Sequence, residues 1–351
     1  MQTLLNPSRR QLLARAGAMA AVASIGMPAM GQAAPTKVRY QLDWRFEAGT
    51  IPHILALRKG YFAEEGLDVT LNVGAGASAT VNRLASGNFD MGTGDLNSLA
   101  EFAGNNAQAP ATAVMVLYET TPAAVFTLRK NNIARPADLR GKTVAAPAND
   151  GARRIFPLFA QATGLDAQAD IKWMSVEPAL RETMLVRGQA DAITGYIASG
   201  YVSLQRLGVK PEDIAVMRFA EYGVPLYGNA VMASNAFLRD KPQAVAAYLR
   251  ALTRAYRDAV LDRAGAVAAL KAHEPLVDEG IETRRLAVIL DDEIASPNVR
   301  RAGLGMIEVD RYQRGIDSLA KALDFKSVPR AASLIDMRHL PPAASRMIFA
   351  A

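Results

Sequence analysis

Cysteine is absent from all 351 residues. That excludes disulfides, thiolate metal sites, a cysteine nucleophile and a lipid anchor on an N-terminal cysteine. Histidine is scarce: His53, His273 and His339 stand far apart and in no metal-ligand spacing, each placed as a surface or capping residue. No phosphate loop of the Gly-Lys-Ser/Thr type occurs, and Gly74-x-Gly76 lacks the rest of a dinucleotide fingerprint. No catalytic residue, metal ligand or cofactor site is therefore expected. Charge of one sign is not in excess either. Without the three leader arginines, 37 of the 40 basic residues face 34 acidic ones, too even and too dispersed for a nucleic-acid partner.

A long apolar run is also missing. The uncharged apolar stretch Ala16 to Met30 is short of the roughly 20 residues of a membrane span. It follows Ser8-Arg9-Arg10-Gln11-Leu12-Leu13 and precedes Gly31-Gln32-Ala33. Paired arginines, an apolar segment and small residues make a twin-arginine export signal over residues 1–33, with cleavage after Ala33. The alternative is a retained anchor helix. The expected product is a freely diffusing periplasmic protein.

What is present is a strand–helix rhythm. Val38, Tyr40, Leu42, Trp44 and Phe46 alternate, a helix follows and halts at Gly60-Tyr61-Phe62, and alternation resumes at Val69, Leu71 and Val73. This is the unit of a parallel sheet, whose ligand crevice lies at the strand ends. The rhythm runs through helices to Ala85 and Ala103 and a strand at Ala113 to Tyr118. It changes direction after Thr121-Pro122 and begins a second set at Leu139 to Lys142. Ser86 to Gly94 echoes Arg187 to Gly195: a glycine after a helix, an aspartate opening a strand, and Thr-Gly at its end. Tyr227 to Val231 reads as a return strand. Gln243 to Leu261 carries Val245, Leu249, Leu252 and Tyr256 at helical spacing, as a helix packed on the first lobe, and Asp310 to Leu323 looks similar.

Taken in order, these residues resemble one family. Leu42-Asp43-Trp44, Lys59-Gly60-Tyr61-Phe62, Glu65-Gly66-Leu67-Asp68-Val69, Gly74-Ala75-Gly76, Gly87-Asn88-Phe89-Asp90 and Ala137 to Lys142 are similar to the periplasmic solute-binding proteins of sulfonate, nitrate, taurine and thiamine-pyrimidine uptake (SsuA/THI5-like, NMT1). The resemblance covers nearly all of the mature chain. It implies an α/β fold of the periplasmic-binding-protein type II: two doubly wound lobes, 34–121 with 232–351 and 122–231, joined by two crossing strands. It also implies a monomer that closes on a small molecule and docks on an ABC permease with its cytoplasmic ATPase. The alternatives are a receptor feeding a sensor and an enzyme of thiamine biosynthesis. The family's pyrimidine synthases place an essential histidine six residues after the tryptophan and use pyridoxal phosphate. Here that position is Thr50, and the synthases' cysteine-rich segment has no counterpart.

The candidate contacts lie at strand ends and crossings. Trp44 can stack on a planar solute or cap the core. Gly76, Ala77 and Ser78 open a helix, so their N–H groups can hold an acceptor, or Ser78 can simply cap it. Thr93 and Asp95 end the third strand, Asp95 as a partner for an amine or as a helix cap. In the second lobe Asn149, Asp150 and Gly151 form the corresponding loop, with Asp150 again a candidate cap, and Tyr196 mirrors Asp95 in the echo. Glu177, Tyr118, Glu119, Tyr222 and Tyr227 complete the set, the last four near the two crossings, where they can equally serve as hinge packing.

Overall fold

The first alternating run folds as β1 (Thr36–Gln41), followed by α1 (Ile51–Arg58), β2 (Leu67–Asn72), α2 (Ala77–Ala85), β3 (Met91–Asp95), α3 (Leu96–Asn105) and β4 (Ala111–Val116). The second set is β5 (Ala123–Leu128), β6 (Lys142–Ala146), α4 (Gly151–Thr163), β7 (Ile171–Ser175), α5 (Arg181–Val186), β8 (Ala192–Tyr196), α6 (Ile197–Arg206) and β9 (Ile214–Arg218). After β10 (Asn229–Ser234) come α7 (Pro242–Leu261), α8 (Glu279–Val288), a π-helical turn Ile289–Ile294 and α9 (Val309–Ala322), among other helices. This computed structural model describes residues 34–349; the expected export signal at 1–33 lies outside the described residues.

Two five-stranded sheets result, ordered β2-β1-β3-β10-β4 and β7-β6-β8-β5-β9. They share one plan. In each, four strands run in one direction and one, fourth in the order, runs against them, supplied just after the chain has crossed from the other sheet: β10 in the first, β5 in the second.

The sequence echo has a physical cause. At matching places, Asp90 accepts from the backbone N–H of Arg39 in β1 and Asp191 from that of Thr143 in β6, each at 2.8 Å. The preceding Gly87 and Gly188 take φ of 71° and 69°, left-handed values that favour glycine at a helix stop.

The apolar stripe of α7 is core, as its spacing predicts. Tyr248 stacks on Tyr40 and Phe62 with centroids 4.8 and 4.7 Å apart, and Val245, Leu249, Leu252 and Tyr256 are buried.

One expectation needs correction. The first strand does not reach Trp44. After Leu42 donates to Asn72, the carbonyls of Asp43 and Trp44 turn to the N–H groups of Gly76 and Gly74, each at 3.0 Å, so the chain leaves the sheet to pack on the glycine loop. A Cβ on Gly74 would lie 2.2 Å from the Leu42 carbonyl, which is why this approach needs glycine. Between the sheets the chain crosses twice, and the two crossings pair with each other over 117–121 and 226–229: Leu117 N–H donates to Asn229, Gly228 N–H to Tyr118 and Thr121 N–H to Leu226. The C-terminal segment touches helices of both sheets: α8 packs on α6, and α9 on α3 and α4.

Candidate functional site

Between the two sheets lies a cavity of about 60 Å³, walled by the bent segment after β1, the start of α2, the first crossing, the starts of α4 and α6, and α8 with its π-helical turn. Of the sequence candidates it gathers Trp44, Gly76, Ala77, Tyr118, Asp150, Gly151 and Tyr196. Tyr118 and Tyr196 meet edge to face at 6.3 Å. Tyr196 Oη donates 3.0 Å to Asn229 Oδ1, Asn229 Nδ2 donates 2.7 Å to Asp43, and Tyr196 Oη lies 3.4 Å from Asp95. The pair mirrored in the sequence echo thus meets across the cleft.

The remaining candidates sit outside this cavity. Ser78 is not the cap of α2; Gly76 holds that place, and Ser78 Oγ pairs with Ser98 Oγ at 2.6 Å. Thr93 pairs with Tyr40 Oη at 2.8 Å in the core. Asp95 caps α3, accepting from Ser98 N at 2.8 Å and from Asn97 Nδ2 at 3.1 Å, and burial pushes its carboxyl up to about 6. Asn149 is exposed and borders a separate groove with Ser78 and Arg154. Glu119 accepts from Ser296 Oγ, and Tyr222 packs edge-on to Phe159. Tyr227 Oη accepts from Glu308 N, its ring beneath the Arg311 guanidinium. Glu177 is exposed on the loop after β7.

The cavity also holds charged groups that the sequence did not single out. Arg181, 1% exposed, donates to Glu182 at 2.6 Å, Asp150 at 3.2 Å and Ser199 at 3.1 Å, and the absent side chain of Gly195 leaves its guanidinium room. Arg285, equally buried, pairs with Glu47, lies 3.6 Å from Glu282, and donates to Ser203 at 3.1 Å. Arg45 pairs with Glu47 at 2.7 Å. All three arginines are thus committed to carboxylates.

Two acids are not so matched. Asp43 and Glu293 make no ion pair among the described residues; burial, aided by Glu47, pushes Asp43 up to about 6, and burial pushes Glu293 up to about 8. Glu293 reaches the cavity because the π-helical turn adds a residue to the end of α8, and its Oε1 accepts from Ala198 N at the start of α6, 2.9 Å away.

Trp44 lies beneath two guanidinium groups, Arg181 at 5.4 Å and Arg45 at 5.6 Å from its ring centroid. A planar solute stacking there displaces one of them. Arg45, half-buried and with its Nε unpartnered, is freer to yield than the fully bonded Arg181.

Chemistry on a substrate has little to work with. Among the described residues no histidine or lysine lines the cavity. His53 points into the core, bonded to Tyr248 Oη at 2.8 Å, and burial lowers its pKa to about 3. Pyridoxal phosphate therefore does not fit: no lysine is present to hold it and no histidine to be consumed.

A family model described as NMT1/THI5 like matches residues 48–266. A formylaminopyrimidine-binding protein of Halalkalibacterium halodurans is 29% identical over 268 residues, covering 74% of this chain and 78% of that protein. A 4-amino-5-hydroxymethyl-2-methylpyrimidine phosphate synthase of Aspergillus parasiticus is 28% identical over 231 residues, 62% of this chain and 65% of that one. Among solved structures, the alkanesulfonate-binding protein SsuA of Xanthomonas axonopodis pv. citri, bound to MOPS, superposes with a TM-score of 0.67 at 18% identity, over 87% of this chain and 99% of that chain.

Proposed function

The chain belongs to the NMT1/THI5-like family, and from that premise we propose that it is the solute-binding component of an ABC importer, capturing a small amino-substituted heteroaromatic ring between its two sheets and delivering it to a membrane permease. One observation carries the choice of ligand. Each arginine at the cavity already has a carboxylate partner, whereas Asp43 and Glu293 lack a cation. A sulfonate or nitrate would enter with no free positive charge to meet it. A ring bearing N–H groups supplies what the two acids lack.

Size agrees with this reading. At about 10–15 Å³ per water on this measure, the cavity holds about four to six waters, the bulk of one substituted six-membered ring. The formylaminopyrimidine-binding relative points to the same class. Export of residues 1–33 by the twin-arginine route, release as a periplasmic monomer and a two-lobe closure over the solute complete the proposal.

Calorimetric titration of the purified protein with a formylaminopyrimidine, an alkanesulfonate and nitrate tests it. The expected outcome is saturable one-to-one binding of the pyrimidine and no saturation with either anion. Tight binding of an anion in its place, or turnover of the pyrimidine, overturns the proposal.

A further inference from the structure

Glu293 lies in the C-terminal segment, beyond the residues 48–266 that carry the family match. It is the third acid of Asp291-Asp292-Glu293, and its neighbours behave as surface charges do: Asp291 pairs with Arg263 and Asp292 with Arg218. Glu293 alone turns inward. It forms part of the wall between the solute cavity and a second pocket of about 100 Å³ beside the first crossing. Its Oε1 takes the Ala198 N–H, and among the described residues Oε2 makes no hydrogen bond.

We propose that Glu293 is a specificity-determining residue that reads the amino edge of the ring through two hydrogen bonds, an amino N–H donating to Oε1 and the carboxyl O–H on Oε2 donating to the neighbouring ring nitrogen. This rests on the importer reading above and adds to it which edge of the solute is recognised and by what. Oε1 has a second lone pair beside the one that Ala198 uses, so it can accept both N–H groups. Burial favours the protonated carboxyl at neutral pH, with the Ala198 N–H pulling the other way and nearby Asp292 adding to the rise. A protonated carboxyl offers a donor and an acceptor side by side. An aminopyrimidine edge presents the complement, an acceptor ring nitrogen beside a donor amino group. A sulfonate or nitrate presents acceptors alone.

The test compares two probes, 4-amino-2,5-dimethylpyrimidine and the same ring with methyl in place of the amino group, on the wild-type protein and on Glu293→Gln and Glu293→Met. Gln keeps the acceptor for Ala198 and offers an amide N–H beside it, so the paired bonds survive in a group of the same shape. Met removes both. The wild type is expected to prefer the amino ring by about tenfold or more. Glu293→Gln is expected to keep that preference within about threefold, and Glu293→Met to lose it. A purely structural role for Glu293 would weaken both probes alike and leave their ratio unchanged. Retention of the preference in Glu293→Met overturns the proposal. Its loss in Glu293→Gln also overturns it, even if Glu293→Met does not fold. If the wild type binds neither pyrimidine, it is the importer reading for this solute class that fails, and the two failures are distinguishable.

Discussion

Single buried residues at and beside the cavity carry protonation states that the stability of the chain must reflect. Glu293 has an unfolded value near 4.5 and is lifted to about 8 by burial; Asp43 and Asp95 rise from 3.8 to about 6. The folded form holds these protons where the unfolded chain has released them. The stabilisation is therefore fully present below the unfolded values and is lost as pH rises through the folded ones. Melting temperature should fall between pH 5 and pH 8, the two aspartates acting in the lower part of that window and Glu293 in the upper. Glu293→Gln, which has no proton to lose, should melt above the wild type at pH 8 by about 2–6 °C and show a flatter profile from pH 6.5 upward. Thermal unfolding followed by circular dichroism across that range checks this; parallel profiles for the two proteins would remove Glu293 from the account.

At the scale of elements, the glycine loop before α2 joins the two halves of the cleft. A Cβ on Gly76 would stand 2.2 Å from the carbonyl oxygen of Asn149, which belongs to the loop before α4, and Gly76 has a φ of 134°. Gly76→Ala should therefore hold the halves apart and weaken solute binding by about tenfold or more. Gly87→Ala is the control, because Gly87 also has a positive φ but nothing near its missing Cβ. Calorimetry on both variants separates a closure defect from backbone strain; equal losses would count against the contact at Asn149. Elements of this kind were legible in part. The strand–helix rhythm and the echo could be read because side-chain period and the Asp90 and Asp191 pairings are local signals. The end of β1 could not, because Trp44 and Phe46 continue the alternation after the ladder has stopped and the backbone has turned to Gly74 and Gly76. Alternation records which face a side chain takes and says nothing of where its backbone bonds go.

For the whole molecule, two sheets of one plan exchange a strand each and face one another across a cavity to which the C-terminal helices also contribute. This explains which site residues the sequence exposed. Asp150 and Tyr196 stand at the heads of helices, and Trp44 in the segment just beyond β1. Arg181 and Arg285 come from helices outside the strand-end loops that the sequence singled out, and Glu293 from an acidic run whose first two members are on the surface. Only the three-dimensional packing turns these groups inward and matches each cavity arginine with its carboxylates, the observation on which the proposal of a ring with N–H donors over an anion rests. The most direct check is a crystal structure of the protein grown with a formylaminopyrimidine. One intact ring is expected between the sheets, bordered by Trp44 and Tyr196, with its amino group on a carboxyl of Asp43 or Glu293. A ring bound elsewhere, or a cleft in which Trp44 and Tyr196 face different spaces, contradicts capture between the two halves.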